Sequence, residues 1–130
     1  MVDEKTKKRA KELIEKMQKD RGYGSRPKFY VAERDPDFME AYNNLYTNGL
    51  GPGKALPVKT RELVAIAILA YRGRDTGVYL HMKRALEHGA TKEELMEACE
   101  TMIIPGGGPA FDAGINALMR IEEEEEKPKK

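Results

Sequence analysis

Seven consecutive apolar residues, Val64 to Ala70, constrain this chain more than any other feature. They lie within LPVKTRELVAIAILAYRGRDTGVYLH, from Leu56 to His81. Pro57 stands at a helix-start position, and Lys59, Arg61 and Glu62 fill the first turn. A long apolar run behind a charged first turn predicts a helix buried on nearly every side. Val64, Ile66 and Ile68 are β-branched and argue for a strand. Ala65, Ala67 and Ala70 favour helix, however, and no second strand-like run exists to pair with this one. After a break at Gly73, a second helix carries Val78, His81, Met82 and Ala85. Chemistry is expected between these two helices.

The flanking segments also read as helices. From Asp3 to about Arg21, Ala10, Leu13, Ile14 and Met17 recur at i, i+3, i+4 and i+7, a narrow apolar stripe on a charged helix. Gly22 to Pro27 is a break. Asp35-Pro36 forms a helix start, with Asp35 as N-cap and Pro36 in the first position; Phe38, Tyr42 and Leu45 then share one face. These rings are expected in the core, the alternative being that one or two line a small-molecule pocket. Asn48 to Gly53 is a turn. Gly89 is placed to cap the second helix of the central pair. Thr91-Lys92-Glu93-Glu94 is a capping box opening a helix with Leu95, Met96, Cys99, Met102 and Ile103. Pro105 to Pro109 stops that helix, and Gly108-Pro109 starts a last one bearing Phe111, Ile115, Leu118 and Met119. Glu122 to Glu126 is expected to be a solvated, fraying helix end. The sum is an all-α fold of about six helices in a single domain, 1–130.

Composition narrows the function classes. Lys+Arg 23 against Asp+Glu 22 leaves a net charge of +1, so no basic field draws the chain to nucleic acid. One cysteine, Cys99, excludes an intramolecular disulfide and suits a reducing cytosol. No leader-like N-terminus and no run of membrane-spanning length is found, so a soluble, cytoplasmic protein with no membrane partner is expected.

Lys59 to Leu118 resembles the carboxymuconolactone decarboxylase superfamily, which also contains the alkylhydroperoxidase D-type proteins. The resemblance rests on TRELVAIAILA, on GRDTGVYLHMKRALEHGATKEEL and on GGGPAFDAGINALM, in that order and spacing. It implies the superfamily's helical bundle assembled as a trimer or hexamer. In the peroxidase branch a glutamate is followed, after eleven residues, by a CxxC pair, then three residues and a histidine. That spacing falls here on Glu62, Arg74, Gly77 and His81. Glutamate and histidine remain, but neither cysteine does, and peroxide reduction by that route needs one thiolate to attack and a second thiol to resolve. Gly73-Arg74-Asp75 before His81 resembles the decarboxylase branch instead, while Glu62 resembles the peroxidase branch.

Glu62 shares a helical face with Ile66 and Leu69, so its carboxylate is expected to meet apolar surroundings. Burial favours its neutral form and a helix N-terminus or cationic partner its charged form, the opposed pressures that make a proton carrier. The alternative is a helix cap or surface charge. His81 shares a face with Val78, Ala85 and His88, and a histidine can exchange protons near neutral pH; a structural role is the alternative. His88, seven residues on, is about 10.5 Å away along the axis, too far to share a metal ion, and no metal or cofactor is expected. Arg72 and Arg74 lie in the break, where one is placed to hold a substrate carboxylate or to remain a surface charge. Gly106 to Gly108 reads as a tight turn rather than an anion site.

The resemblance therefore implies a cofactor-free acid–base carboxy-lyase acting on a small carboxylated lactone or unsaturated acid. His81 would be proton donor or relay, Glu62 its orienting or proton-exchanging partner and Arg74 the carboxylate or anion stabiliser. An antioxidant enzyme relying on external thiols, and a non-catalytic binding or assembly protein, are the rivals. The wholly apolar helix and the narrow-striped N-terminal helix both predict surface hidden in a homo-oligomer.

Overall fold

The computed structural model describes residues 2–129 and, among them, contains seven α-helices and no strand. They are α1 (Glu4–Arg21), α2 (Arg26–Ala32), α3 (Pro36–Leu50), α4 (Val58–Tyr71), α5 (Asp75–Glu87), α6 (Lys92–Gly106) and α7 (Gly108–Glu126). The helix beyond the expected six is α2. Its sequence reads as a break because of Pro27, yet the fixed φ of proline suits a first helical turn, where Pro27 sits. The chain divides into two compact units, residues 1–54 and 55–130.

In the first unit, Asp3 caps α1 by accepting from the Thr6 amide at 2.7 Å. Ala10, Leu13 and Met17 are buried against Ala32 of α2 and Met39 of α3, as their spacing predicts. Asp35 caps α3 through the Phe38 amide, 3.0 Å away. The Phe38–Tyr42–Leu45 face only partly takes its expected core role: Tyr42 is half-buried against the core, but Phe38 is 60% exposed and Leu45 70%. Met39 and Asn43 turn inward instead. The cause is Arg21, which ends the stripe of α1 inside the unit. Its guanidinium donates to Asn43 Oδ1 at 2.7 Å and lies over the Tyr46 ring, 4.1 Å from its centroid. A buried guanidinium needs a polar partner, and that need rotates α3 by one position.

The second unit is a four-helix bundle around Ile66, Val78, Met82, Leu95, Cys99 and Leu118. The capping box opens α6 in both halves: Glu94 N donates to Thr91 Oγ1 at 3.0 Å, and Thr91 N to Glu94 Oε2 at 2.9 Å. Lys59 of α4 reaches the same Glu94 at 2.8 Å, tying the starts of α4 and α6. That contact and the Thr91 amide hold the Glu94 carboxyl below its ordinary range. Pro105 occupies the last turn of α6. The chain then reverses at Gly107, whose φ of 83° suits only glycine, so α7 begins one residue earlier than its sequence suggests.

Three expectations require correction in this unit. Helix α4 is not covered on nearly every side: Val64, Ile68 and Tyr71, at i, i+4 and i+7, are 54%, 55% and 70% exposed. The other three helices of the unit cover the Glu62–Ile66–Ala70 side and leave the opposite one open. With α6, that open side forms an apolar groove of about 540 Å³ floored by Ala67, Ala98 and Gly106. In α7, Met119 is half exposed, and Ala110, Gly114, Ala117 and Ile121 point inward with Leu118. The small residues permit close helix packing that larger apolar residues would prevent. Finally, the glutamate run is held rather than frayed. Glu124 accepts from the Tyr79 hydroxyl at 2.5 Å and from Arg120 at 3.1 Å, and Glu125 pairs with Lys92. The Tyr79 contact is the main cause of a lowered Glu124 carboxyl.

Gly114 marks the tightest approach between α6 and α7, because a Cβ there would lie 2.6 Å from Cys99 Sγ. Gly114→Ala should destabilise the protein by about 1–3 kcal/mol through overpacking. Combining it with Cys99→Ala should cost less than the two changes added separately, as read by chemical denaturation.

Candidate active site

Helices α4 and α5 form an antiparallel hairpin turning at Gly73. Residues equally far from the turn stand opposite one another, and Glu62 and Arg84 are each eleven positions from it (73 − 62 and 84 − 73). Glu62, in the first half of α4, is fully buried beside Ile66. Its Oε2 lies 2.5 Å from His81 Nδ1. Its Oε1 forms an ion pair with Arg84 Nε at 2.9 Å. Arg84 Nη1 in turn lies 2.8 Å from His88 Nε2. One carboxylate therefore joins an imidazole and a guanidinium, and a second imidazole closes the row.

The spacing that selects Glu62 and His81 thus corresponds to a contact between their side chains. The surface-charge reading of Glu62 fails, because the residue has no exposure. Gly77, His81, Arg84 and His88 form one stripe of α5, at i, i+4, i+7 and i+11. Gly77 lets that stripe approach α4: a Cβ there would sit 3.3 Å from Leu69 Cδ1. Arg74 is not brought to the pair. It stands exposed at the N-cap of α5, about 10.5 Å before His81 along the axis. Arg72 is likewise exposed, at the C-cap of α4. The cation at Glu62 is Arg84, which sequence reasoning missed. Hairpin symmetry about Gly73 was the signal that could have found it.

The geometry sets what the site can do. Arginine has only donors, so the short contact makes His88 Nε2 an acceptor and places the proton of neutral His88 on Nδ1. A guanidinium stays charged and favours the ionised form of the carboxylate it touches. Ionised Glu62 then accepts from His81 Nδ1, which fixes the ring orientation and leaves Nε2 as the nitrogen turned away from the carboxylate. His81 keeps 12% side-chain exposure while Glu62 has none, so of these two His81 is the one with surface to offer a bound molecule. No sulfur takes part: Cys99 is buried on α6 against Gly114, and burial pushes its thiol up to about 11. Among the described residues, no three His, Cys, Asp or Glu side chains converge as metal ligands would. Likewise, no helix there is long and apolar enough to cross a membrane.

Known proteins resemble the chain in sequence and in fold. The sequence pattern of the Carboxymuconolactone decarboxylase family matches residues 36–119. An uncharacterised protein of Methanocaldococcus jannaschii is 32% identical over 91 residues, covering 70% of this chain and 84% of that one. A second, from Cupriavidus necator, is 34% identical over 88 residues, with coverage of 68% and 77%. The 4-carboxymuconolactone decarboxylase of Acinetobacter baylyi is 38% identical over 69 residues, which are 53% of this chain and 48% of that enzyme. The crystal structure of a proposed carboxymuconolactone decarboxylase from Burkholderia xenovorans superposes with a TM-score of 0.76 at 25% identity. That match covers 92% of this chain and 95% of the other. With a match extending over well more than half its length, the chain belongs to the carboxymuconolactone decarboxylase family.

Proposed function

We propose that this protein is a cofactor-free acid–base carboxy-lyase acting on a small carboxylated lactone or a similar unsaturated acid. The observation that carries the reading is the buried carboxylate of Glu62 oriented on Nδ1 of the part-exposed His81. Structural ion pairs are also buried, but a structural pair has no need of an imidazole at its exposed end. In the reaction, the bond between the ring carbon and the carboxylate carbon breaks and CO2 leaves. The electron pair passes into the adjoining unsaturated system as an enolate-like anion. His81 delivers a proton to the carbon that ends the conjugated system, and Glu62 stabilises and orients the ring as its charge changes. The kinship with the Acinetobacter decarboxylase supports the substrate class. The exposed Arg74 is assigned to a substrate carboxylate only at the mouth of the hairpin, as a charge-assisted contact made on binding.

The peroxidase reading loses support from Cys99, whose buried thiol is pushed up to about 11 and so is almost wholly protonated at neutral pH. A non-catalytic binding or assembly role has no comparable feature in its favour beyond the open face of α4. That face does support homo-oligomer formation, with trimers or hexamers as the proposed assemblies: Val64, Ile68 and Tyr71 form a continuous apolar stripe beside a groove of small residues.

His81→Ala should lower decarboxylase turnover by at least about a hundredfold, with helical circular dichroism unchanged; retained turnover would remove His81 from the mechanism. Thiol-dependent peroxide consumption should be negligible and the same in Cys99→Ser, and a rate that fell in that variant would restore the redox reading. Sedimentation at micromolar concentration should show an oligomer that Ile68→Lys dissociates; a stable monomer of the unaltered chain would refute the assembly.

A further inference from the structure

We infer that helix α3 of a second copy of this chain lies in the groove between α4 and α6, anchored by Phe38, Ala41 and Leu45; this rests on the homo-oligomer reading of the α4 face and names the two surfaces brought together. The three anchors stand at i, i+3 and i+7 on α3, and all are exposed, Phe38 by 60% and Leu45 by 70%. An amphipathic helix that enters an apolar groove presents its anchors at this spacing. The opposite side of α3 is already occupied within its own unit, where Met39 and Asn43 are buried. Helix α3 therefore has two stripes, and a single chain covers only one of them.

The two surfaces match in length, relief and charge. From Phe38 to Leu45 is about 10.5 Å of helix axis, and the α4 wall of the groove, from Thr60 to Tyr71, runs about 16.5 Å. The anchors are large at their two ends, and the floor they meet is small, built from Ala67, Ala98 and Gly106. Asp37 and Glu40 border the stripe, but Arg9 of α1 holds each of them at 2.6 Å, so they bring no unpaired charge. No charged side chain lines the groove. Depletion of charge is what marks the buried centre of a protein interface. A two-fold contact of α4 on α4 would cover Val64, Ile68 and Tyr71 and leave Phe38 and Leu45 in water. A head-to-tail contact removes both apolar surfaces from water with a single kind of interface. Each copy then offers its stripe to one neighbour and its groove to another.

Two single substitutions and their mixture test this by sedimentation, with no activity read. Leu45→Lys puts a charge in the stripe, and Thr101→Arg puts one in the groove. Both positions are exposed, so each variant should keep its helices, as circular dichroism checks. At micromolar concentration each should form a smaller species than the unaltered protein. Mixed in equal amounts, the two should form a complex containing both chains, because the Thr101→Arg copy keeps its stripe and the Leu45→Lys copy keeps its groove. Like charges at the altered positions exclude rescue by ion pairing. An unchanged assembly in Leu45→Lys would overturn the inference and leave the homo-oligomer reading standing, and so would a mixture in which the variants stay apart. A monomeric unaltered protein would overturn both. Should Thr101→Arg not fold, Ile68→Lys, also on the groove wall, takes its place in the mixture.

Discussion

The carboxylate of Glu62 is the constraint on which the 55–130 unit depends. A charge with no exposure survives in a helical bundle only if it is compensated, and here one neighbouring helix supplies both the His81 nitrogen at Oε2 and the Arg84 charge 2.9 Å from Oε1, an ion pair without hydrogen-bond geometry. Removing one partner of such a pair costs about 3–5 kcal/mol, a large share of the roughly 5–15 kcal/mol by which a domain of ordinary size is stable. The pair therefore locks the register of α4 against α5. A slip of one residue would leave a buried charge without its partner, a stronger penalty than any single apolar contact in the hairpin exacts. The arrangement that could move protons is also the one that aligns the helices.

Helix α4 separates two environments. Its inward face carries Glu62, Ile66 and Ala70, and its outward face carries Val64, Ile68 and Tyr71 with the groove beside α6. This apolar groove is thus on the far side of the helix from the Glu62–His81 pair. Its lining is apolar apart from a few hydroxyls and contains no charged side chain. That composition suits helix packing more than acid–base chemistry. The two faces explain why the seven-residue apolar run is neither a membrane segment nor a wholly internal helix. One side is satisfied within the unit, and the other is available for a surface that a partner would cover.

The helices were legible because local chemistry and apolar periodicity agree. Asp3, Asp35 and Thr91 cap where their side chains require, and Ala10, Leu13 and Met17 bury as their spacing says. The spacing of Glu62 and His81 pointed to a pair because the family resemblance supplied a template for it. Arg74 was nominated by the same template and lies elsewhere, since the N-cap of α5 is two turns from His81. Arg84 went unnoticed because an arginine in MKRALEH looks like any solvated helical charge until a partner across the hairpin is known. The exposure of Phe38 and Leu45 has a similar cause. Phe38 and Leu45 are apolar by type, yet the buried Arg21–Asn43 contact outranks them in orienting α3.

What the amino-acid order determined alone is six of the seven described helices, the caps at Asp3, Asp35 and Thr91, and the absence of a second thiol to serve redox chemistry. These follow from contacts within a few residues and from composition, which need no fold to be read. Only the tertiary structure decided which cation meets Glu62, that His88 accepts from that cation, and which side of α4 is left bare. Each depends on how α4 turns about its axis relative to α5 and α6. That rotation is set by the sum of many packing contacts and one buried charge, and no local window of sequence contains it.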